Sequence, residues 1–227
     1  MRFDLASEWR LSCGRKGIPE IPVQLPGDNY SALLDSGLIP DPCIRLNENA
    51  VQWVHECDWI FAKEFELKPE FLASKVIFLN IDSIDTFGEV RINGEFAGRS
   101  ENMFTRFRTN VKKLLKPGLN RIEILIKSPS RRALEESRKQ PFELVSLKFM
   151  NSVPLQCHGG WDWGITLVGS GLPRVLRVCG TKGSACRFQR QQFHTSSGKS
   201  ARADLCRGFD QRGTRTPSGN PRPARIL

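Results

Sequence analysis

The 227-residue chain is 39% hydrophobic and 26% charged, a composition that is ordinary for a globular protein. No apolar run approaches the roughly 20 residues that a membrane helix needs, and none follows the N-terminus as a signal peptide would require, so we expect a cytoplasmic protein without a membrane partner. The formal net charge of +10 lies mostly in residues 180–227, which carry ten Lys and Arg against two Asp, whereas residues 1–179 are nearly neutral.

Two strands and two short helices are predicted in the first 57 residues. In chain order they are a strand at residues 9–11, a strand at 21–25, a helix at 30–36 and a helix at 47–54. Asp28 or Asn29 is expected to cap the first helix and Gly37 to end it, because Asp and Asn accept hydrogen bonds from free backbone N–H groups and Gly tolerates the left-handed conformation. Asn47 is expected to cap the second helix.

From residue 58 onward, the apolar residues follow the period of strands. The predicted strands are at residues 58–67, 76–81, 87–92, 95–99, 104–111, 121–127, 142–149 and 174–178, and a helix is expected at 130–139. Asn93-Gly94 between two of these runs is a strong signal for a tight hairpin. Many short strands with turns between them predict an all-β fold, an antiparallel β-sandwich, with a barrel or an α+β domain as alternatives.

The cysteines indicate neither a disulfide scaffold nor a metal site. Seven of them, an odd number, stand at positions 13, 43, 57, 157, 179, 186 and 206. The chain is too long for a small disulfide-stabilised fold, and it contains no Cys-x-x-Cys pair of the kind that binds zinc. We therefore expect reduced thiols, no metal and no cofactor.

Residues 180–227 differ in composition from the rest of the chain. They contain no Val, Met, Glu, Tyr or Trp and are rich in Arg, Ser, Gly, Thr, Pro and Gln. Such a segment buries too little apolar surface to offset the entropy lost on ordering, so we predict a folded domain at residues 1–179 and a disordered basic tail at 180–227.

The tail has three interpretations: a basic segment that binds nucleic acid, an ordinary disordered tail, or a translated wrong reading frame. Its arginines are scattered, without lysine clusters or interleaved aromatic residues, which argues against nucleic acid. We favour the wrong reading frame.

The motif at residues 156–164 reads Gln-Cys-His-Gly-Gly-Trp-Asp-Trp-Gly. Trp161 and Trp163 flank Asp162, and glycines on both sides predict a loop with unusual backbone angles. Indole faces suit the C–H face of a sugar ring, and a carboxylate between them can accept hydrogen bonds from sugar hydroxyls. The alternative is that both tryptophans belong to the core and Asp162 caps a turn, which the residue types alone favour because large aromatic residues are mostly buried.

Several further motifs lie between residue 5 and about residue 178. They are Leu-Pro-Gly-Asp-Asn-Tyr-Ser-Ala-Leu-Leu at 25–34, Gly-Leu-Ile-Pro-Asp-Pro at 37–42, Asn47-Glu48, Val-Gln-Trp-Val at 51–54, Asp58-Trp59, Val-Arg-Ile-Asn-Gly at 90–94, Glu-Asn-Met-Phe at 101–104 and Val-Lys-Lys-Leu-Leu at 111–115. With the motif at 156–164, their order and spacing resemble the N-terminal domain of β-mannosidases of glycoside hydrolase family 2.

The resemblance implies a jelly-roll β-sandwich with short helical insertions, of the galactose-binding-like kind. In the family, a further sandwich and a TIM barrel follow, and two glutamates of the barrel hydrolyse terminal non-reducing β-mannosides with retention. This chain is too short to add such a barrel, which typically takes about 250 residues. We therefore expect a fragment whose missing partner is the barrel, assign no catalytic residue, and expect no activity from the chain alone.

The resemblance also implies a substrate site. By the family pattern, Trp161 lines the mannose subsite, Asp162 accepts hydrogen bonds from mannose hydroxyls, Trp163 supports the loop, and Asn102 approaches the sugar. Given this resemblance, the functional interpretation of Asp162 replaces the structural one. Two alternatives stay open for the chain as a whole: a free-standing carbohydrate-binding module and, more remotely, a nucleic-acid binder that acts through its tail.

Overall fold

A computed structural model of the chain describes residues 1–139, 141, 164–173 and 176–181. The chain divides into two compact units, Met1–Arg187 and Phe188–Leu227, and the second unit lies outside the described residues. The strand predicted at 142–149 also lies outside them, as does the predicted tail beyond residue 181. The domain boundary at residue 180 and the disorder of the tail therefore stay predictions.

Short strands make up most of the described chain. They are β1 (Arg2–Asp4), β2 (Trp9–Cys13), β3 (Ile21–Val23), β4 (Gly27–Asp28), β5 (Trp59–Leu67), β6 (Val76–Ile81), β7 (Gly88–Ile92), β8 (Glu95–Ser100), β9 (Phe107–Asn110), β10 (Gly118–Ile126), β11 (Gly171–Leu172) and β12 (Leu176–Thr181). The helices are α1 (Asn29–Asp35), α2 (Asn47–Ala50), α3 (Pro69–Leu72) and α4 (Pro129–Ser137), with 3-10 turns at Gln52–Glu56 and Lys112–Leu114.

Within the described residues, the strands form antiparallel sheets. One sheet has the order β3-β2-β5-β10-β7-β8, a second has the order β1-β12-β6-β9, and β4 pairs with β11 alone. The longest pairing joins β5 to β10 over nine residues, from Leu67 opposite Gly118 to Trp59 opposite Ile126. This pairing forms the centre of the larger sheet.

The two larger sheets share one hydrophobic core. Alternate residues of the central strands are fully buried in it, and these include Trp59, Phe61, Ile122, Ile124 and Ile126 from the larger sheet and Ile77, Leu79, Ile81 and Val178 from the smaller one. Burial of each side chain of this size contributes about 1.5–3 kcal/mol relative to exposure. The predicted all-β class, a jelly-roll antiparallel β-sandwich with short helical insertions, is confirmed.

Two predictions that rest on local sequence signals are confirmed: the Asn93-Gly94 hairpin and the helix cap at Asp28. Asn93 and Gly94 have φ values of +52° and +86° and join β7 to β8, with Ile92 opposite Glu95, as a tight hairpin requires. Asp28 caps α1, because its side chain accepts a hydrogen bond from the Ser31 backbone N–H.

The prediction of one helix at residues 47–54, capped by Asn47, is wrong. The segment divides into α2 and the 3-10 turn Gln52–Glu56, and Leu46 stands at the N-cap position without a side-chain cap. The Asn47 side chain instead donates to the Asp41 carbonyl oxygen at 2.9 Å. The side chains of Glu48, in α2, and Gln52, in the 3-10 turn, both bond the backbone of Thr166.

None of the helices in the described residues has the length and apolar character needed to cross a membrane.

Candidate functional site

The predicted site residues are only partly described by the structure. Trp161, Asp162 and Trp163 lie outside the described residues, whereas Asn102 is described. The description resumes at Gly164, the last residue of the motif. Two parts of the chain near these residues are described. One is the anchored segment, residues 164–173, which begins with the last residue of the motif, and the other is the Asn102 turn, residues 101–105.

Two side chains hold the backbone of Thr166 in the anchored segment. Glu48 Oε1 accepts a hydrogen bond from the Thr166 N–H at 2.8 Å. Gln52 Nε2 donates to the Thr166 carbonyl oxygen at 3.0 Å and to the Glu48 carbonyl oxygen at 2.9 Å. Both backbone groups of a residue three positions after Trp163 are thus fixed by α2 and the turn that follows it.

Gln52 is in turn held by a buried histidine. Gln52 Oε1 lies 3.0 Å from His55 Nε2, and His55 Nδ1 contacts the hydroxyl of Ser130 in α4. Burial lowers the pKa of His55 below its ordinary value, although the nearby carboxylate of Glu56 opposes this shift. The shift favours the neutral imidazole, in which one ring nitrogen accepts and the other donates a hydrogen bond.

Asn29 holds the anchored segment at a second point. Its side chain is fully buried, and Oδ1 accepts hydrogen bonds from the backbone N–H groups of Ser170 and Tyr30, both at 3.0 Å. The Asn29 backbone N–H donates to the Ser170 carbonyl oxygen at 3.0 Å. Asn29 therefore satisfies both backbone groups of Ser170, as a neighbouring strand would.

Gly171 completes the attachment and tolerates no side chain. Its N–H and carbonyl oxygen bond the backbone of Asp85 at 3.1 and 2.9 Å, while β11 pairs with β4 on the other side. A Cβ atom added at Gly171 would lie 2.5 Å from the Gly27 carbonyl oxygen and 2.9 Å from Asp28 Cα. The close approach of three backbone segments thus requires glycine.

The Asn102 turn is built mostly from its own residues. Asn102 Oδ1 accepts from the Phe104 N–H at 2.9 Å, and its carbonyl oxygen accepts from the Thr105 hydroxyl at 3.0 Å. Two bonds come from outside the turn, because the Ser83 hydroxyl donates to the Met103 carbonyl oxygen at 2.7 Å and the Ser100 hydroxyl donates to the Asn102 carbonyl oxygen at 3.5 Å. Among the described residues, Asn102 Nδ2 has no hydrogen-bond partner.

The Asn102 turn and the anchored segment are attached to the same connection. Ser83 holds the turn, Asp85 holds Gly171, and both belong to the link between β6 and β7. Two residues of chain span at most about 7 Å. The fold therefore brings the Asn102 turn close to Gly171 of the anchored segment.

A cleft of about 770 Å³ opens elsewhere, beside α4, and is lined in part by Arg15, Cys57, Asp58 and Arg131. Asp58 Oδ1 accepts from the Ser128 N–H at 2.7 Å and pairs with Arg131 at 2.6 Å, so this carboxylate stabilises the start of α4. Over the part of the chain that the structure describes, no group of three or more His, Cys, Asp and Glu side chains could hold a metal ion.

The residues that anchor the segment were not predicted from the sequence. Glu48, Gln52 and Asn29 stand in the motifs that carried the resemblance, but Glu48 and Gln52 were assigned no role and Asn29 was considered only as a helix cap. Their partners lie more than 100 residues away in the chain. The signal that could have found them is the presence of amide and carboxylate side chains inside those motifs.

Comparison with known proteins identifies the family. The model of the family described as glycosyl hydrolase 2 galactose-binding domain-like matches residues 9–174. The chain belongs to this family. The match covers most of the sandwich and includes the motif at 156–164, Asn102 and the anchored segment.

Members of the family with similar sequences include named β-mannosidases. The chain is 29% identical over 190 residues to the β-mannosidase of Rattus norvegicus, a match that covers 78% of this chain and 21% of the rat protein. It is 34% identical over 189 residues to β-mannosidase B of Aspergillus clavatus, covering 78% of this chain and 22% of that protein. The chain thus spans about a fifth of the length of the curated relatives it matches.

A solved structure agrees in fold as well as in sequence. The crystal structure of the β-D-mannosidase of Dictyoglomus thermophilum matches with a TM-score of 0.75 and 34% identity, over 79% of this chain and 22% of that one. These comparisons confirm the resemblance to β-mannosidases of glycoside hydrolase family 2.

Proposed function

We propose that the chain is the sugar-site domain of a retaining β-mannosidase, an enzyme that hydrolyses terminal non-reducing β-D-mannose residues. The observation that carries this proposal is the match to the β-D-mannosidase of D. thermophilum in both sequence and fold. In the proposal, Trp161 and Asp162 contact the mannoside, Asn102 approaches it and Trp163 supports the loop. The protein acts in the cytoplasm, without a metal, a cofactor, a nucleic acid or a membrane as partner.

The anchored segment supports the proposed role of the motif. A loop that contacts a sugar binds more tightly when its conformation is already fixed before binding, because less entropy is lost. The backbone groups of Thr166, Ser170 and Gly171 are all bonded to distant parts of the sandwich. The chain that follows the motif is therefore fixed from Thr166 onward.

The chain supplies binding but not the bond-breaking step. Retention requires two carboxyl groups about 5 Å apart across the scissile bond. We propose that both belong to a barrel domain outside this chain, so that the site is complete only when the two are joined. The isolated chain then offers about half of a substrate site, and its affinity for mannosides is low.

The test is sugar binding by the full 227-residue chain, measured by ligand-detected NMR with methyl β-D-mannopyranoside. We expect saturable binding with a Kd in the millimolar range, about 4 kcal/mol of binding free energy, and its loss in Asp162→Ala. Asp35→Ala is the matched control, because Asp35 is exposed on α1. The same preparation should release no nitrophenol from 4-nitrophenyl β-D-mannopyranoside.

Each result has a defined meaning. A micromolar Kd would instead favour a free-standing carbohydrate-binding module. Absence of binding by the wild-type chain, or binding that Asp162→Ala leaves unchanged, would contradict the proposed site. Hydrolysis that persists after repurification of the chain would contradict the assignment of catalysis to a missing domain.

A further inference from the structure

Phe104 is an unusually exposed aromatic residue for this fold. The side chain is 67% exposed, more than that of any other phenylalanine in the described residues, whereas Phe61 in β5 is fully buried. A phenyl ring left in water forgoes the stabilisation that burial would provide. A single exposed apolar residue is common, so the surroundings of Phe104 decide whether its exposure has a use.

The turn that carries Phe104 is held by several hydrogen bonds. Its backbone N–H is bonded to Asn102 Oδ1 at 2.9 Å, and Ser83 fixes the preceding carbonyl oxygen, that of Met103, at 2.7 Å. The Thr105 hydroxyl donates a further hydrogen bond to the Asn102 carbonyl oxygen, within the same turn. The ring is thus presented to solvent from a fixed backbone rather than from a frayed loop, which reduces the entropy lost when a ligand covers it.

A hydrogen-bond donor lies two residues before Phe104, in the same turn. Asn102 Oδ1 is occupied by the Phe104 N–H, so the side-chain amide is oriented, while Nδ2 has no partner among the described residues. An exposed apolar ring and an oriented amide donor in one short turn match a hexopyranose, which presents an apolar C–H face and hydroxyl groups around its edge. A purely apolar protein surface would leave the amide unsatisfied.

We propose that Phe104 is a sugar-binding residue, whose ring stacks on the C–H face of a hexopyranose while Asn102 Nδ2 donates to one of its hydroxyls. This inference rests on the proposed function, because it adds a residue to the same site. The attachment of the Asn102 turn and of Gly171 to one connection, through Ser83 and Asp85, brings the turn that carries Phe104 close to Gly171 of the anchored segment.

The test compares variants of the full chain by ligand-detected NMR with β-1,4-mannobiose. We expect Phe104→Ala to raise the Kd about tenfold, which corresponds to 1.4 kcal/mol of binding free energy. Phe104→Trp should keep the Kd within about twofold of the wild type, because an indole also stacks on sugars. The matched control is Phe96→Ala, which removes a ring that is 55% exposed on β8. Thermal unfolding of all variants should agree, since neither ring is part of the core.

The outcomes separate this inference from the proposed function. A wild-type chain that binds, an Asp162→Ala variant that does not, and a Phe104→Ala variant with an unchanged Kd would overturn the role of Phe104 and leave the proposed function intact. Equal losses in Phe104→Ala and Phe96→Ala would overturn it as well, because the effect would not depend on position. Absence of binding by the wild-type chain would overturn both.

Discussion

The two described sides of the site are stabilised in opposite ways. In the anchored segment, Thr166 is bonded to side chains 118 and 114 positions earlier, and Ser170 to a side chain 141 positions earlier. In the Asn102 turn, the bonds to Phe104 and Thr105 span two and three positions. The segment therefore depends on the completed sandwich, whereas the turn depends mainly on its own sequence.

This difference in the range of the contacts determines how mutations in each part affect stability. Long-range contacts form only after the chain has lost the entropy of closing large loops, so they are made and lost together with the fold. A bond within a turn persists even when distant parts of the protein loosen. We expect changes in the anchored segment to alter global stability, and changes in the Asn102 turn to stay local.

The largest effect is expected at Gly171. In Gly171→Ala, the added methyl would overlap the Gly27 carbonyl oxygen at 2.5 Å, and backbone cannot move aside as a flexible side chain can. We expect the free energy of unfolding to fall by about 2–3 kcal/mol, as for other overpacked sites. Urea unfolding of the full chain, followed by tryptophan fluorescence, measures this change.

Gly169→Ala is the matched control for that substitution. Gly169 belongs to the same segment, but an added Cβ would meet its nearest neighbours at 3.7 and 3.9 Å, which is ordinary contact. We expect a change of less than about 1 kcal/mol, because a tolerated Ala also reduces the entropy of the unfolded chain. Equal effects of the two substitutions would show that the close approach at Gly171 does not limit stability.

The fold was predictable from the sequence because its signals are local. The alternation in β5 and β10, and the Asn93-Gly94 hairpin, follow from side-chain periodicity and from turn chemistry that each segment carries by itself. The β4–β11 pair was not predicted, because two residues per strand show no periodicity. The predicted cap at Asn47 is wrong, because the Asn47 side chain donates to the Asp41 carbonyl oxygen instead.

The site was predictable only in part, for the same physical reason. Asn102 is a prediction from the family resemblance alone, and its hydrogen-bond partner Phe104 lies two residues away. Glu48 and Gln52 could not be assigned to Thr166, because no local rule predicts a contact across more than 100 residues. Trp161, Asp162 and Trp163 remain predictions from the sequence and the family.

A smaller effect is expected when the attachment of Thr166 is removed. Glu48→Ala leaves the Thr166 N–H without its acceptor, and a hydrogen bond of this kind contributes about 1 kcal/mol. Hydrogen exchange at the Thr166 amide should become faster. Glu48→Gln keeps an oxygen acceptor and should restore slow exchange, which separates the hydrogen bond from the charge. Fast exchange in both variants would show that the negative charge, and not the bond, holds the segment.

The smallest effect is expected in the Asn102 turn itself. Thr105→Val removes the hydroxyl that donates to the Asn102 carbonyl oxygen but retains the shape of the side chain. Because the bond is exposed, we expect a loss of about 0.5 kcal/mol, with faster exchange of the Phe104 amide and unchanged exchange at Thr166. Faster exchange at Thr166 would contradict the comparison, because the turn and the segment would then be coupled. Such coupling would act through the connection that carries Ser83 and Asp85, so that binding at the turn would also tighten the segment that leaves the tryptophan motif.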